Sequence, residues 1–470
     1  MTVTIDARLW AEEQFGQCDL KDKRRTQRLV QVAASTLRHP SGSLPEQAAD
    51  AADLKAAYRL FGCEDVTFED ILGPHWTQTC RRPAGVYLVL NDTTEVDFGI
   101  RRKLRGMGQT GNGGGWGFLL HSALVVGAES EAIFGLAAQK IRYRKPAPKK
   151  ESTTKRLKRD RESVLWGQVI DQVGPPAEGV RWVHVMDRGA DNFEVYCHCR
   201  QQPADWVVRV TQKQRRVIAP DGQTMALQPY LDTLPSSGSY ELPLRARAAR
   251  PKRGHKPARK AQPARTAKVD VRFGPLEMPF PQQRSPYLKG LPATPIAMWV
   301  VHAVEVHPPK DVEPVEWILL TSLPVSSFDD AWRILEYYEK RWLIEEYHKA
   351  LKSGCQVETR QYETSRRLEA ITGFLAIVAV RLLQLRAVAR TNPDQPAQEV
   401  VPQLWLDVLQ TLRRRPRQSW TVRTFFRELA GLGGFLGRKS DGEPGWQTIW
   451  RGFDKLVIAL MYAESLKKCG

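Results

Sequence analysis

The segment YEKRWLIEEYHKALK, residues 338–352, carries a phenol (Tyr338), a guanidinium (Arg341), a carboxylate (Glu345) and an ammonium (Lys352). An α-helix turns about 100° per residue. With Tyr338 at zero, the other three fall near ~300°, ~340° and ~320°, within an arc of roughly 60°. Glu346, at about 80°, points away from that stripe. Four polar heads in a row are costly to bury without partners. The helix alone leaves two readings open. One is local ion pairing, such as Arg341 with Glu345 four residues apart; the other is a shared anionic ligand.

Two aspartates weight the choice. Asp92 follows the apolar run GVYLVLN, and Asp187 follows VRWVHVM. Single Asp residues at such places are commonly turn formers. Two strand carboxylates with one helix carboxylate are also a set of hard oxygen donors that could hold two Mg²⁺ or Mn²⁺ ions. Two such ions about 4 Å apart activate an attacking oxygen and stabilise a leaving one in phosphoryl transfer. Arg341 and Lys352 would then grip phosphates on either side of the reacting bond, and Tyr338 would hydrogen-bond another.

The elements that must position these groups can be read along the chain. Its 470 residues suffice for several domains, and 42% are hydrophobic. Residues 1 to about 65 read as helical. DLKDKRRTQRLVQVAASTL is amphipathic and basic, and Arg24, Arg25 and Arg28 on it are candidate phosphate contacts. Continuous apolar strands then lead to Asp92 and Asp187, as in a mixed or parallel sheet, with RESVLWGQVIDQV as a crossover helix between them. Residues from about 205 to 322 are β-rich: DWVVRVTQ, GSYELPL, AKVDVRF, AMWVVHAVEV and VEWILLTSLPV. The helix carrying Glu345 is expected to run unbroken from a Ser326–Ser327 cap, with Asp329 and Asp330 in its first turn, to Gly354. Residues from about 366 onward are helical again. The expected parts are a helical DNA-binding domain (1–68), a catalytic domain (69–365) and a helical C-terminal domain (366–470).

Lys and Arg total 70 against 52 Asp and Glu, a formal charge of +18. That balance points to a polyanionic partner, most simply nucleic acid. The charge is clustered: residues 140–161 hold eleven Lys/Arg, and 245–268 hold ten with no acid. Both read as loops or arms that release counterions on a phosphate backbone. The apolar run FLAIVAV is halted by Arg381 and is too short to span a bilayer. The start of the chain has no secretory signal. Seven scattered cysteines suit a reducing cytoplasm. GMGQTG lacks the preceding strand of a dinucleotide site, and CHC at 197–199 has no second cluster to complete a zinc site.

The residues together resemble a known family. Tyr338, Arg341, Glu345 and Lys352 stand as in the Y-x₂-R-x₃-E-x₆-K signature of the insertion-sequence-four family of bacterial cut-and-paste DDE transposases, the group that includes the transposase of transposon five. LNDTTEV, VMDRGAD and EWILLTS resemble its strands in the same order. DKRRTQRLVQVAA resembles its N-terminal region, and VAVRLLQLR and GGFLGRKS resemble its C-terminal region. The resemblance implies an α/β RNase H-like core with a β-rich insertion, flanked by helical domains. It implies a catalytic, metal-holding triad of Asp92, Asp187 and Glu345, served by two Mg²⁺ or Mn²⁺ ions, with Tyr338, Arg341 and Lys352 on DNA phosphates. Trp317 matches a tryptophan that stacks on a flipped base, and Arg209 a DNA-contacting arginine. The implied activity is nicking at transposon ends, hairpin formation and reopening, and strand transfer. Its partners would be double-stranded end repeats and target DNA, and it would act as a homodimer at the nucleoid, with no membrane. Two departures stand out: Gly189 replaces a glutamate common in relatives, and Thr211 replaces a DNA-contacting lysine. The alternatives are a metal-dependent nuclease on the same core, or a catalytically idle DNA-binding descendant.

Overall fold

The computed structural model describes residues 6–469 apart from 101–103, 105, 112–113, 146–147, 149, 160, 250, 252–257, 259, 311, 392, 415–418 and 439–440. Capping chemistry sets the first helices. Asp6 caps α1 (Ala7–Phe15) and Asp22 caps α2 (Lys23–Arg38), each carboxylate accepting first-turn N–H groups. Ser43 with Glu46 opens α3 (Leu44–Gln47), Asp50 caps α4 (Ala51–Gly62), and a Thr67–Asp70 capping box starts α5 (Phe68–Cys80). Strands β1 (Gly85–Asp97), β2 (Gly108–Thr110), β3 (Gly115–Gly127) and β4 (Ile133–Arg142) follow. Next come α6 (Thr153–Lys158), α7 (Val164–Val173), β5 (Val180–Met186), α8 (Phe193–Gln201) and β6 (Asp205–Val210). The β-rich stretch contains β7 (Arg216–Ile218), β8 (Thr224–Ala226), α9 (Leu227–Thr233), β9 (Gly238–Leu244), β10 (Arg265–Met278), α10 (Pro286–Lys289), β11 (Ile296–Glu305) and β12 (Glu316–Thr321). Helices α11 (Phe328–Glu339), α12 (Trp342–Lys349), α13 (Ser365–Thr391), α14 (Gln403–Leu412), α15 (Val422–Leu432) and α16 (Trp446–Cys469) complete the chain.

The chain divides into two compact units, one formed by Met1–Lys150, Gln168–Arg181 and Trp342–Gly470, the other by Glu151–Gly167 and Trp182–Arg341. In the first, β3 pairs antiparallel with β1, β2 and β4. Helices α5 and α13 pack on β4. The FLAIVAV run is the buried middle of α13, apolar on all sides as a core helix should be. The Phe374 ring lies 5.4 Å from that of Phe15 and 5.5 Å from that of Phe61, joining α1 and α4 to α13. In the second unit β5 runs parallel to β6, and β6, β12, β11 and β10 follow antiparallel, with β7 and β9 both on β10. All five β-rich segments named above contribute a strand. Among the described residues, no helix is long and apolar enough to cross a membrane.

Three expectations are corrected. First, β1 does not end at Asp92. It continues to Asp97 because β3 is long enough to pair with it throughout, Asp92 opposite Ser122 and Asp97 opposite Gly117. Second, the segment from Ser327 to Gly354 is not one helix. The Ser327–Asp330 capping box forms as expected, but α11 closes at Lys340, where the Arg341 N–H bonds back to the Tyr338 carbonyl at 3.0 Å. Helix α12 starts at Trp342, and Ala350–Gly354 is a π-helical turn. Arithmetic at 100° per residue therefore does not carry from Tyr338 to Lys352. Third, the flanks of the basic segments are ordered elements. β4 extends to Arg142, α6 carries Lys155, Arg156 and Lys158, and β10 begins at Arg265. Residues 146–147, 149 and 160 of the first segment and 250, 252–257 and 259 of the second lie outside the described residues.

Candidate active site

In the first unit the site is built on β1 and α12. Leu343, Ile344, Tyr347 and His348 turn inward from α12, and Glu345 is exposed. Buried Gln139 of β4 donates to the Ser122 hydroxyl at 2.7 Å and to the Tyr347 hydroxyl at 3.0 Å. This network pins α12 to the sheet at the residue opposite Asp92. The Asp92 carboxylate accepts the Thr93 N–H at 2.8 Å, and its other oxygen lies 3.9 Å from Nδ1 of His348. His348 is three residues beyond Glu345, one helical turn, so the strand carrying Asp92 and the helix carrying Glu345 are brought together. Glu346 is drawn aside into an ion pair with Lys349 at 3.8 Å.

Lys352 sits on the π-turn, its ammonium 3.1 Å from the Glu358 carboxylate. Arg360 secures the stretch that follows. Its guanidinium, only 5% exposed, donates to the carbonyls of Gly42 (2.7 Å), Pro40 (3.2 Å) and Cys355 (2.8 Å). Burial holds its pKa below the usual arginine value, against the opposing pull of Cys355, Tyr362 and Glu46.

In the second unit a cationic cluster forms where β6, β12 and α11 meet. Arg209 on β6 lies opposite Leu319 of β12, and its guanidinium reaches the Glu316 carbonyl at 3.5 Å. Tyr338, 5% exposed, has its ring edge-on to Trp317 at 5.2 Å. Its hydroxyl is hydrogen-bonded by both Arg209 and Arg341. Burial raises the phenol's pKa, and the two guanidiniums oppose that rise. Beside the cluster, Glu316 is held down to about 2 by hydrogen bonds from His302 and Lys213. Lys213, two residues past Thr211, is thereby tied to β12.

Asp187 follows β5 directly and caps a 3₁₀ turn, its Oδ1 accepting the Gly189 N–H at 2.7 Å. A Cβ at Gly189 would lie 3.0 Å from both that oxygen and the Trp166 ring, a tight fit in which a glutamate would require small shifts of these neighbours. Asp92 and Glu345 thus belong to the first unit and Asp187 to the second. Among the described residues, no three His, Cys, Asp or Glu side chains are gathered as a metal cluster. All three carboxylates are at least partly exposed, and as hard oxygen donors they suit Mg²⁺ or Mn²⁺.

The N-terminal arginines have partners that the sequence does not reveal. Arg25 pairs with Asp65 at 2.7 Å and Arg28 with Asp53 of α4 at 2.5 Å. Arg24 pairs with its own helix cap, Asp22, and stays 89% exposed. A groove along α4, about 630 Å³, is lined by Lys55, Tyr58, Arg59 and, from α13, Arg367. Tyr58 is 43% exposed there. Sequence reasoning passed over these residues, although Lys55, Tyr58 and Arg59 are spaced for one helix face.

Comparison with known families gives three matches. The Transposase DNA-binding model matches residues 7–66, the Transposase DDE domain model 159–381, and the Transposase Tn5 dimerisation domain model 377–470. Asp187, Arg209, Trp317, Tyr338, Arg341, Glu345 and Lys352 fall within the second match, and Asp92 precedes it.

Proposed function

The chain belongs to the transposon-five type of DDE transposases, and from that premise we propose how its residues divide the work of a DNA transposase. The family carries an RNase H-like core, divalent-metal dependence, DNA binding and homodimer formation. The proposed division of this chain is 1–68 for end recognition, 69–365 for catalysis and 366–470 for dimerisation. Asp92, Asp187 and Glu345 are the residues to hold two Mg²⁺ or Mn²⁺ ions. When bound, such ions activate the attacking oxygen and stabilise the leaving one.

The chain's own groups supply position and charge. Arg209, Arg341 and the Tyr338 hydroxyl grip DNA phosphates near the cut, with Lys352 on a further phosphate. Trp317, edge-on to Tyr338, receives a base extruded from the end, the usual way to expose a buried nucleotide. Arg24 and the α4 groove contact the duplex of the end repeat, while Arg25 and Arg28 brace the helices that present them. Cleavage frees a 3′-OH at the transposon end. That hydroxyl attacks the opposite strand to give a hairpin, water reopens it, and the 3′-OH then attacks target DNA. The protein acts on DNA at the nucleoid, in the cytoplasm.

The observation that carries the reading is the pinning of the Glu345 helix against the Asp92 strand through Gln139, Ser122 and Tyr347. It is tested with purified protein and a DNA fragment carrying the sequence that flanks the coding region, with Mg²⁺ or EDTA, wild type beside Asp187→Asn. Mg²⁺-dependent cuts at a fixed flank position, with a hairpin product absent in the variant, are expected. Binding without metal-dependent cleavage would refute the catalytic assignment.

A further inference from the structure

The stretch after α12 is irregular. It passes from a π-helical turn (Ala350–Gly354) through Gln356 in the left-handed region, φ 49°, into a 3₁₀ turn over Val357–Thr359. A π-turn and a left-handed residue other than glycine both cost free energy and persist where surrounding contacts fix them. Here the Arg360 guanidinium does so, tying Cys355 to the loop at Pro40 and Gly42. The effect is to fold Glu358 back. One oxygen of its carboxylate lies 3.1 Å from the Lys352 ammonium and accepts the backbone N–H of Asp97 at 3.0 Å. Asp97 ends β1, the strand that bears Asp92.

We infer that Glu358 is a positioning residue for the reaction: it fixes the Lys352 ammonium relative to the strand that carries Asp92. This rests on the reading of Lys352 as a phosphate contact. A lysine is a point charge on a flexible four-carbon stem. Placed on a π-turn with no partner it would sample several rotamers, and ordering it would fall on the DNA complex. Glu358 orders it beforehand. An ammonium has three donors, so one can stay on Glu358 while the others face a phosphate. Two acidic neighbours in sequence, Glu363 and Glu369, have no such bridge to β1 among the contacts described; Glu369 instead accepts from the Tyr143 hydroxyl.

Glutamine at position 358 separates this role from a structural one. It keeps the length and an oxygen for the Asp97 N–H, and loses only the charge that holds Lys352. Single-turnover cleavage at saturating DNA is measured for wild type, Glu358→Gln, Lys352→Ala and the double variant. Partial unfolding then lowers the amplitude and leaves the rate constant alone. Glu358→Gln is expected to slow the rate about tenfold, the worth of one charge-assisted contact, and to add nothing to Lys352→Ala. Binding without divalent metal gives a second readout. Lys352 faces a phosphate with or without Glu358, so the slope of log K against log salt should stay as in wild type for Glu358→Gln and fall by about 0.9 for Lys352→Ala. A wild-type rate for Glu358→Gln, equal slowing in the Lys352→Ala background, or a salt slope for Glu358→Gln as low as that of Lys352→Ala overturns the inference while leaving the role of Lys352 intact. A wild-type rate for Lys352→Ala overturns both.

Discussion

Replacing Tyr338 by Phe tests the cationic cluster of the second unit with little disturbance to the fold. The ring is buried and its edge-on contact with Trp317 survives the change. The hydroxyl is lost, and with it the hydrogen bonds from Arg209 and Arg341. A hydrogen bond to a charged group contributes about 1.5–3 kcal/mol. Arg209 keeps the Glu316 carbonyl as an acceptor, so the lower end applies to the fold. The hydroxyl proton matters more for DNA. The arginines donate to the phenol oxygen, which leaves its own proton for a phosphate. Burial raises the phenol's pKa above its usual 10, so that proton is retained throughout pH 7–9. Tyr338→Phe should therefore slow single-turnover end cleavage about 10- to 100-fold, equivalent to about 1.4–2.7 kcal/mol. The deficit should be constant from pH 7 to 9, with a melting temperature within a few degrees of wild type. Cleavage at the wild-type rate, or a deficit that vanishes toward pH 9, would refute the role of the phenol as a donor.

Other outcomes follow from the same geometry. Glu345→Gln should abolish cleavage and leave end binding nearly intact, whereas Glu346→Gln, which loses a 3.8 Å pair with Lys349 and a charge near Arg386, should keep substantial activity; equal loss in both on a denaturing gel contradicts the site. Trp317→Ala should slow hairpin formation more than the first nick, and equal slowing of the two steps would make Trp317 a packing residue. Arg59→Ala should weaken DNA binding and lower its salt slope by about 0.9 without a change in melting temperature, while Arg28→Ala, which breaks the pair with Asp53, should lower the melting temperature instead. Burial raises Asp454 of α16 to about 7. An acid whose pKa is raised by folding binds more protons folded than unfolded, so its contribution to stability falls as pH rises from about 4 to 7. Asp454→Asn, which removes the ionisable group and keeps the size, should raise the melting temperature at pH 8 and change little at pH 5.

Much of this was legible because it is local. The Ser327–Asp330 box is written within four residues, and the run VRWVHVM can only be a buried strand that delivers Asp187 to its end. The order of helices, strands and helices followed from the switch between periods of about 3.6 and 2. What the sequence hid depends on distant partners. Arg25 and Arg28 look free for phosphate until Asp65 and Asp53 are found against them. Asp92 looks like the end of a strand until β3 proves long enough to pair past it.

The broken helix is the instructive case. Nothing between Tyr338 and Lys352 is a glycine or a proline, so propensity gives no reason to stop at Lys340. The reason is tertiary. Helix α11 packs on β6 and β10–β12 of the second unit, and Tyr338 is held there by Trp317 and two arginines. Helix α12 packs on β1 and α13 of the first unit, where the Trp342 ring lies 4.6 Å beneath the Arg386 guanidinium. Each half follows its own packing surface, and the residues between them give way. The four-residue signature is thus not one stripe of a rigid rod. Tyr338 and Arg341 belong to one compact unit, and Glu345 and Lys352 to the other. Their spacing in the chain joins four groups that are placed by different neighbours, so a face computed from 100° steps misdescribes the element that carries them.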